Sequence, residues 1–392
     1  MKTNKIFKNI LSLLTLGLVV FSCSKPSEDP KEGQNLKALD LVVTSLKFEK
    51  AKNLKETNVS EFYEKLFITR TPARDKNKTK TDSETDNGYP AMFSIETADI
   101  VGDSIINIKL PFNSKFTNLT GKANATATIT FKSAAQGVKL GETTINGTTA
   151  DITFEIPTTE LTKEKLSAAS TKKVFRFTKP GATANDPISV KEYTVVLKFS
   201  ETKSDKCEIK PDDFKFTVAS NGINAINNFR AITGTTRAAN SIVKAHYAAA
   251  NTTTSNANDG TESKPFEFQL RIGKSTDTTN NGNDSENGEL PKTTGATETT
   301  YFKADALKLP DGAYIEVGNT PYPASADSNV FACNSVNPIT GNTKSINNGQ
   351  NLRGNTDAST KKSEYKFTVV AQDGTTKKYY KLTINATAPT GT

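Results

Sequence analysis

Residues 364–371 read Glu-Tyr-Lys-Phe-Thr-Val-Val-Ala, residues 377–385 read Lys-Lys-Tyr-Tyr-Lys-Leu-Thr-Ile-Asn, and Gln372-Asp373-Gly374-Thr375-Thr376 joins them. Aromatic and β-branched residues dominate both arms, and the joining Asp-Gly pair supplies the positive φ that a tight turn demands. The stretch therefore predicts an antiparallel hairpin, and the same signals recur upstream. Residues 104–110 (SIINIKL), 125–131 (ATATITF), 150–156 (ADITFEI), 172–177 (KKVFRF), 192–199 (EYTVVLKF) and 265–272 (PFEFQLRI) are strand-like, most of them alternating in polarity. Residues 39–43 and 46–48 open the folded part, and 313–317 form a further short strand. A period of two between Gly, Asn and Pro breaks is the pattern of antiparallel sheets packed on one face. The fold class is all-β with minor helix.

The helical candidates are few. Residues 61–68 (EFYEKLFI) suit one short amphipathic helix or a strand, 161–169 suit a helix, and 241–250 are compatible with one. Ile223, Ile226, Phe229 and Ile232 recur every three residues, as in a short helical or irregular packed stretch. Residues 69–88 are polar and charged and read as a linker or surface loop without core residues. Residues 207–213 (CEIKPDD) read as a linker-like break. Residues 275–300 and 334–361 read as long exposed loops.

The amino terminus carries a different message. Lys2, Lys5 and Lys8 precede an apolar run over 10–21, which ends at Val20-Phe21-Ser22-Cys23. Basic start, apolar stretch and small residue form the layout of a secretory signal peptide. The run is shorter than the roughly 20 apolar residues of a comfortable membrane span. Residues 24–34 (SKPSEDPKEGQ) are too polar to fold alone and suit a flexible tether. The organisation expected is a signal over 1–22, a tether over 23–35, a first β-sandwich unit over 36–202 with the polar insertion 69–88, and a second unit over 208–388.

Composition narrows the function. The chain has 392 residues, formal charge +8, one histidine, three cysteines and no tryptophan. The positive excess is spread along the chain, without the basic-aromatic block of a nucleic-acid surface, so no nucleic-acid partner is expected. No Cys-x-x-Cys or Cys/His cluster exists, so zinc is excluded, and no other metal or cofactor is expected. Export makes a Cys207–Cys333 disulfide permissible, although two lone cysteines far apart in sequence need not meet. Histidine-dependent catalysis would have to rest on His246, which has no nucleophile motif beside it. Asp212, Asp213 and Glu262 are carboxylates in ordinary turn contexts, and glycoside hydrolysis would need two of them across a cleft. Residues 280–288 (NNGNDSENG) lack EF-hand ligand spacing.

Two resemblances complete the reading. The segment ending at Cys23 resembles the lipobox of bacterial lipoproteins, which implies lipid on the Cys23 thiol and attachment to the membrane, with an outer-membrane or cell-surface location. The hairpin from Phe367 to Tyr379 has an earlier echo in Lys173-Val174-Phe175-Arg176-Phe177-Thr178 and Lys191-Glu192-Tyr193-Thr194-Val195-Val196-Leu197. Both close a block with an aromatic strand, a turn and a second strand bearing lysine and tyrosine, which is an internal repeat. These closing hairpins resemble those of cadherin-like or Ig-like β-sandwich modules in surface lipoproteins of Bacteroidetes. That resemblance implies tandem antiparallel Ig-like sandwiches without catalytic residues. The expected role is a non-enzymatic envelope protein acting in adhesion, capture of a host or glycan ligand, or structure, with loops 275–300 and 334–361 as the binding face. The alternative is a pilus subunit assembled by strand exchange after proteolysis near Arg70 or Arg74.

Overall fold

The computed structural model describes residues 36–217 except 84, 85 and 184, and beyond them 242–248, 258–272, 288–290, 301–302, 304, 306–317, 330–333, 336–339, 352–353 and 362–385. The signal, Cys23, the tether, the 223–232 stretch and most of loops 275–300 and 334–361 lie outside the described residues.

The first unit has two layers. In one, Met92–Ile95, Val43–Glu49, Ala123–Phe131 and Thr149–Ile156 lie side by side, all antiparallel. In Ala123–Phe131 every second side chain is buried, the half-exposed threonines falling between, as a strand with one dry face requires. The other layer runs Ile100–Val101, Ile105–Leu110, Ile188–Phe199, Thr171–Lys179, Val138–Leu140 and Thr143–Ile145. Aromatic contacts join the layers: Phe154 meets Phe175 at 4.9 Å between ring centroids, and Phe131 meets Phe177 at 5.7 Å. Each is an edge-to-face pair, worth about 0.5–1.5 kcal/mol beyond the area it buries.

The second layer adds parallel pairs to the antiparallel ones expected. Ile188–Phe199 pairs antiparallel with its hairpin partner Thr171–Lys179, but its other edge runs parallel to Ile105–Leu110 and to Leu36–Ala38. A turn fixes the direction of a hairpin partner. The opposite edge is filled by strands distant in sequence, whose direction no local signal records.

The second unit repeats five strands of this layer in the same order. Val138–Leu140, Thr171–Lys179, Ile188–Phe199, Ile105–Leu110 and Ile100–Val101 correspond in order to Tyr314–Glu316, Lys362–Val370, Lys377–Asn385, Phe266–Ile272 and His246–Ala248. The directions agree at every step, including the parallel pair of Phe266–Ile272 with Lys377–Asn385. Two further pairs, Lys215–Thr217 with Ile242–Lys244 and Tyr301–Phe302 with Leu352–Arg353, occupy the sequence places of the first unit's other layer. Val330–Cys333 departs from the plan, adding parallel to Lys362–Val370. Each unit has its own core, one running from Leu41 to Phe199 and the other from Cys207 to Ile384.

One tyrosine per unit ties the entering chain to the closing strand. Tyr193 donates its hydroxyl to the Leu41 carbonyl at 2.7 Å and accepts from the Val43 amide at 3.0 Å. Tyr380 donates to the Cys207 carbonyl at 3.2 Å and accepts from the Ile209 amide at 2.8 Å. In both cases the two backbone groups belong to residues two apart, and both tyrosines are fully buried.

Several local expectations change. Residues 207–213 are not a linker, because Cys207 and Ile209 are buried in the second core. The 241–250 stretch forms the strands Ile242–Lys244 and His246–Ala248 instead of a helix. The polar 69–88 stretch is not without structure: Asp75–Thr79 lies beside Gly88–Tyr89, and the buried Lys50 ammonium donates to the Asn77 carbonyl and the Thr79 hydroxyl. Gly88 is required there, since a Cβ would stand 2.6 Å from the Lys80 amide nitrogen. The ambiguous 61–68 stretch is the helix Glu61–Lys65, capped by the Ser60 hydroxyl accepting from the Tyr63 amide, with Phe62 and Tyr63 turned into the core. The helix expected over 161–169 forms as Lys163–Ser167.

Candidate functional site

The chain leaving the helix Glu61–Lys65 runs over the end of the first unit towards the second. Here Phe67, Arg70, Arg74 and Tyr89 face Phe112 and Phe116 across a cleft of about 270 Å³, with Glu64, Lys65 and Lys76 at its sides. The cleft exists because two segments are held apart by different anchors. Phe112 and Phe116 pack edge-on against Phe199 of the closing strand, at 5.4 and 5.6 Å. Opposite them Phe67 packs edge-on against Tyr89 at 6.0 Å and Phe93 at 5.7 Å.

The second unit pins both walls. The amides of Leu309 and Gly312 donate to the carbonyls of Thr71 and Thr69, at 3.1 and 2.8 Å. The Arg70 guanidinium meets the Asp311 carboxylate through two nitrogens, each 3.0 Å from an oxygen. On the other wall the Gln372 side chain donates to the Phe112 carbonyl at 3.2 Å and accepts from the Ser204 amide at 2.9 Å. Ser114 donates to the Tyr314 hydroxyl at 3.2 Å.

The electrostatics of the cleft are cationic. Arg70 is neutralised by Asp311 and Lys76 by Glu64, at 2.5 Å. Arg74 and Lys65 have no carboxylate at ion-pair distance among the described residues. Arg74 donates to the Ile68 carbonyl and lies over the rings of Phe67 and Tyr89, 5.9 and 5.6 Å from their centroids. Burial, followed by the neighbouring Arg70 charge, pulls its pKa below the ordinary arginine value. Lys65 places its ammonium over the Phe116 ring at 5.1 Å. Burial and the Glu64 charge push the Tyr89 phenol up to about 12, so it stays protonated.

The other candidate residues lie elsewhere. Cys207 is a free, buried thiol whose pKa is raised by burial, and Cys333 ends a strand whose backbone lies beside Tyr365. His246 opens the edge strand His246–Ala248, opposite Gln269. Asp212 is exposed and pairs with Lys244 at 2.9 Å. Asp213 offers its carbonyl to the Lys308 amide, and Glu262 is exposed in a turn. None of these residues lines the cleft. Arg70 and Arg74, singled out as cleavage positions, are the two that do. Among the described residues no group of three His, Cys, Asp or Glu side chains is placed to hold a metal ion, and no helix is long and apolar enough to cross a membrane.

Sequence reasoning missed the cleft because its residues come from three separated segments, 64–76, Tyr89 and 111–116. The signal available was the aromatic content of Phe67, Tyr89, Phe112 and Phe116 flanking basic residues outside clear strands. Compared with known proteins, the chain matches no family model, no curated protein and no solved structure.

Proposed function

We propose that the chain is a lipid-anchored protein of a bacterial cell envelope that works by binding, without catalysis. The observation that carries this reading is the leader itself: Lys2, Lys5 and Lys8, the apolar run, Cys23, and the polar tether up to the first strand at Leu36. Several acyl chains on one cysteine anchor firmly, since each buried methylene contributes about 0.8 kcal/mol. The tether then sets two β units, joined end to end by the Arg70–Asp311 and Gln372 contacts, away from the bilayer.

The test is fractionation of cells expressing the wild type and Cys23→Ala. The wild type is expected in the membrane fraction, released by detergent and not by salt, and Cys23→Ala is expected in the soluble fraction or retained unprocessed. Equal membrane retention of two correctly processed proteins would reject the anchor.

A second reading has one structural observation in its favour. Proteolysis after Arg70 or Arg74 would free Val43–Glu49, an inner strand lying between Ala123–Phe131 and Met92–Ile95. Its loss would open a groove that a strand of another subunit fills by β-augmentation. A mature chain starting just beyond Arg70 or Arg74 would favour this reading over the first.

A further inference from the structure

We infer that the cleft between Phe67 and Phe116 binds a single-ring carboxylate, an acidic sugar of the uronic-acid kind, with its carboxylate on Arg74 and Lys65 and its ring against the half-buried faces of Phe67, Phe112 and Phe116. This names a ligand class for the binding role proposed above and rests on that reading.

Four observations lead here. The first is charge. The cleft holds four cations, and among the described residues two of them, Arg70 and Lys76, are met by carboxylates at ion-pair distance. An arginine presents five N–H donors in a planar fork. Arg74 directs one nitrogen at the Ile68 carbonyl and is taken partly out of water by Phe67 and Tyr89. A half-desolvated guanidinium with no carboxylate at ion-pair distance gains more from an arriving carboxylate than a solvated one does.

The second observation is shape. A cleft of about 270 Å³ is smaller than the roughly 300–1,000 Å³ that drug-sized ligands occupy, which suits one ring and not an extended chain. The third is the wall chemistry. Phe67, Phe112 and Phe116 are each partly exposed while fixed from behind by Phe93, Tyr89 or Phe199. Rings held in this way leave little ordering to be done on binding, and each carries a cation beside it, Arg74 over Phe67, Lys65 over Phe116 and Lys203 over Phe112, so apolar and cationic surface lie together. The fourth is preorganisation of the backbone. Thr69, two residues from Phe67, Thr71, three residues from Arg74, and Phe112 itself are each hydrogen-bonded by the second unit.

The experiment is titration of the full mature chain in detergent with glucuronate, glucose, acetate and inorganic phosphate, followed by calorimetry and by amide shifts of residues 65–74 and 111–116. Glucuronate is expected to bind, with glucose and acetate each at least about tenfold weaker, because each lacks one half of the recognition. Arg74→Lys keeps the charge and loses the fork, and should weaken glucuronate about tenfold. Lys65→Gln should weaken it severalfold, while Lys173→Gln, outside the cleft, should leave it unchanged. Unaltered thermal midpoints establish that the variants are folded. An oligouronide binding no more tightly per site than glucuronate identifies the single ring as the recognised unit. Glucuronate failing to bind, glucose binding equally, phosphate or acetate competing as well as glucuronate, or both cleft variants binding unchanged would overturn the inference. Lipid on Cys23 is read separately by mass, so the ligand and the anchor fail independently.

Discussion

Tyr193 and Tyr380 show how single side chains fix the start of each unit. Each hydroxyl lies in a dry core and satisfies one carbonyl and one amide of the incoming chain. Burial raises both phenol pKa values, so each side chain remains a donor throughout the physiological range. Replacing either tyrosine by phenylalanine keeps the ring packing and strands two buried backbone groups, at a cost of about 1–3 kcal/mol. Tyr193→Phe is expected to lower the urea midpoint and speed amide exchange at Val43. Tyr380→Phe is expected to do the same at Ile209. Unchanged exchange at those two amides would show that the hydroxyls anchor nothing.

At the scale of elements, the closing hairpin performs as its sequence indicates and then does more. The strands Lys362–Val370 and Lys377–Asn385 pair antiparallel around Gly374, whose φ is +80°. The Asp373 carboxylate accepts from the amides of Thr375 and Thr376, which rigidifies the turn. A Cβ on Gly374 would lie 2.9 Å from the Cβ of Ser114, so the turn tip is also pressed against the first unit. Gly374→Ala should therefore destabilise by about 1 kcal/mol or more, with the loss measured by denaturation and with shifted amide resonances at Ser114. Stability equal to the wild type would contradict both the turn and the contact.

Strands of this kind were legible because alternation and turn chemistry are local. Ala123–Phe131 and Thr149–Ile156 emerge with the inward and outward faces that their sequences specify. The parallel neighbours of the closing strands were not legible, since nothing near Ile105 or Phe266 refers to residues far along the chain. The stretch 241–250 contains apolar residues in a short run, for which periodicity does not separate helix from strand. The sequence of 207–213 looks like a linker because its backbone partner, the Tyr380 hydroxyl, is 171 residues away from Ile209. The cleft was hidden for the same reason.

At the scale of the molecule, the repeat read from two hairpins extends to a five-strand layer with matching directions in both units. The two units have separate cores, and the contacts of Arg70, Ser114, Ser204 and Gln372 join them. Gln372 is 5 % exposed and bridges the Phe112 carbonyl of the first unit and the Ser204 amide of the segment between the units, so its amide is fully satisfied only while the units stay together. The junction holds the cleft's walls, which connects architecture to the binding role proposed for it.

That role depends on the chain being exported and held at an envelope, and intact-mass spectrometry of the protein purified from its own cells addresses this most directly. The account predicts a polypeptide beginning at Cys23 and heavier than its sequence by the mass of thioether-linked and amide-linked acyl chains. An unmodified chain beginning at Met1 and recovered from the cytosol would contradict it.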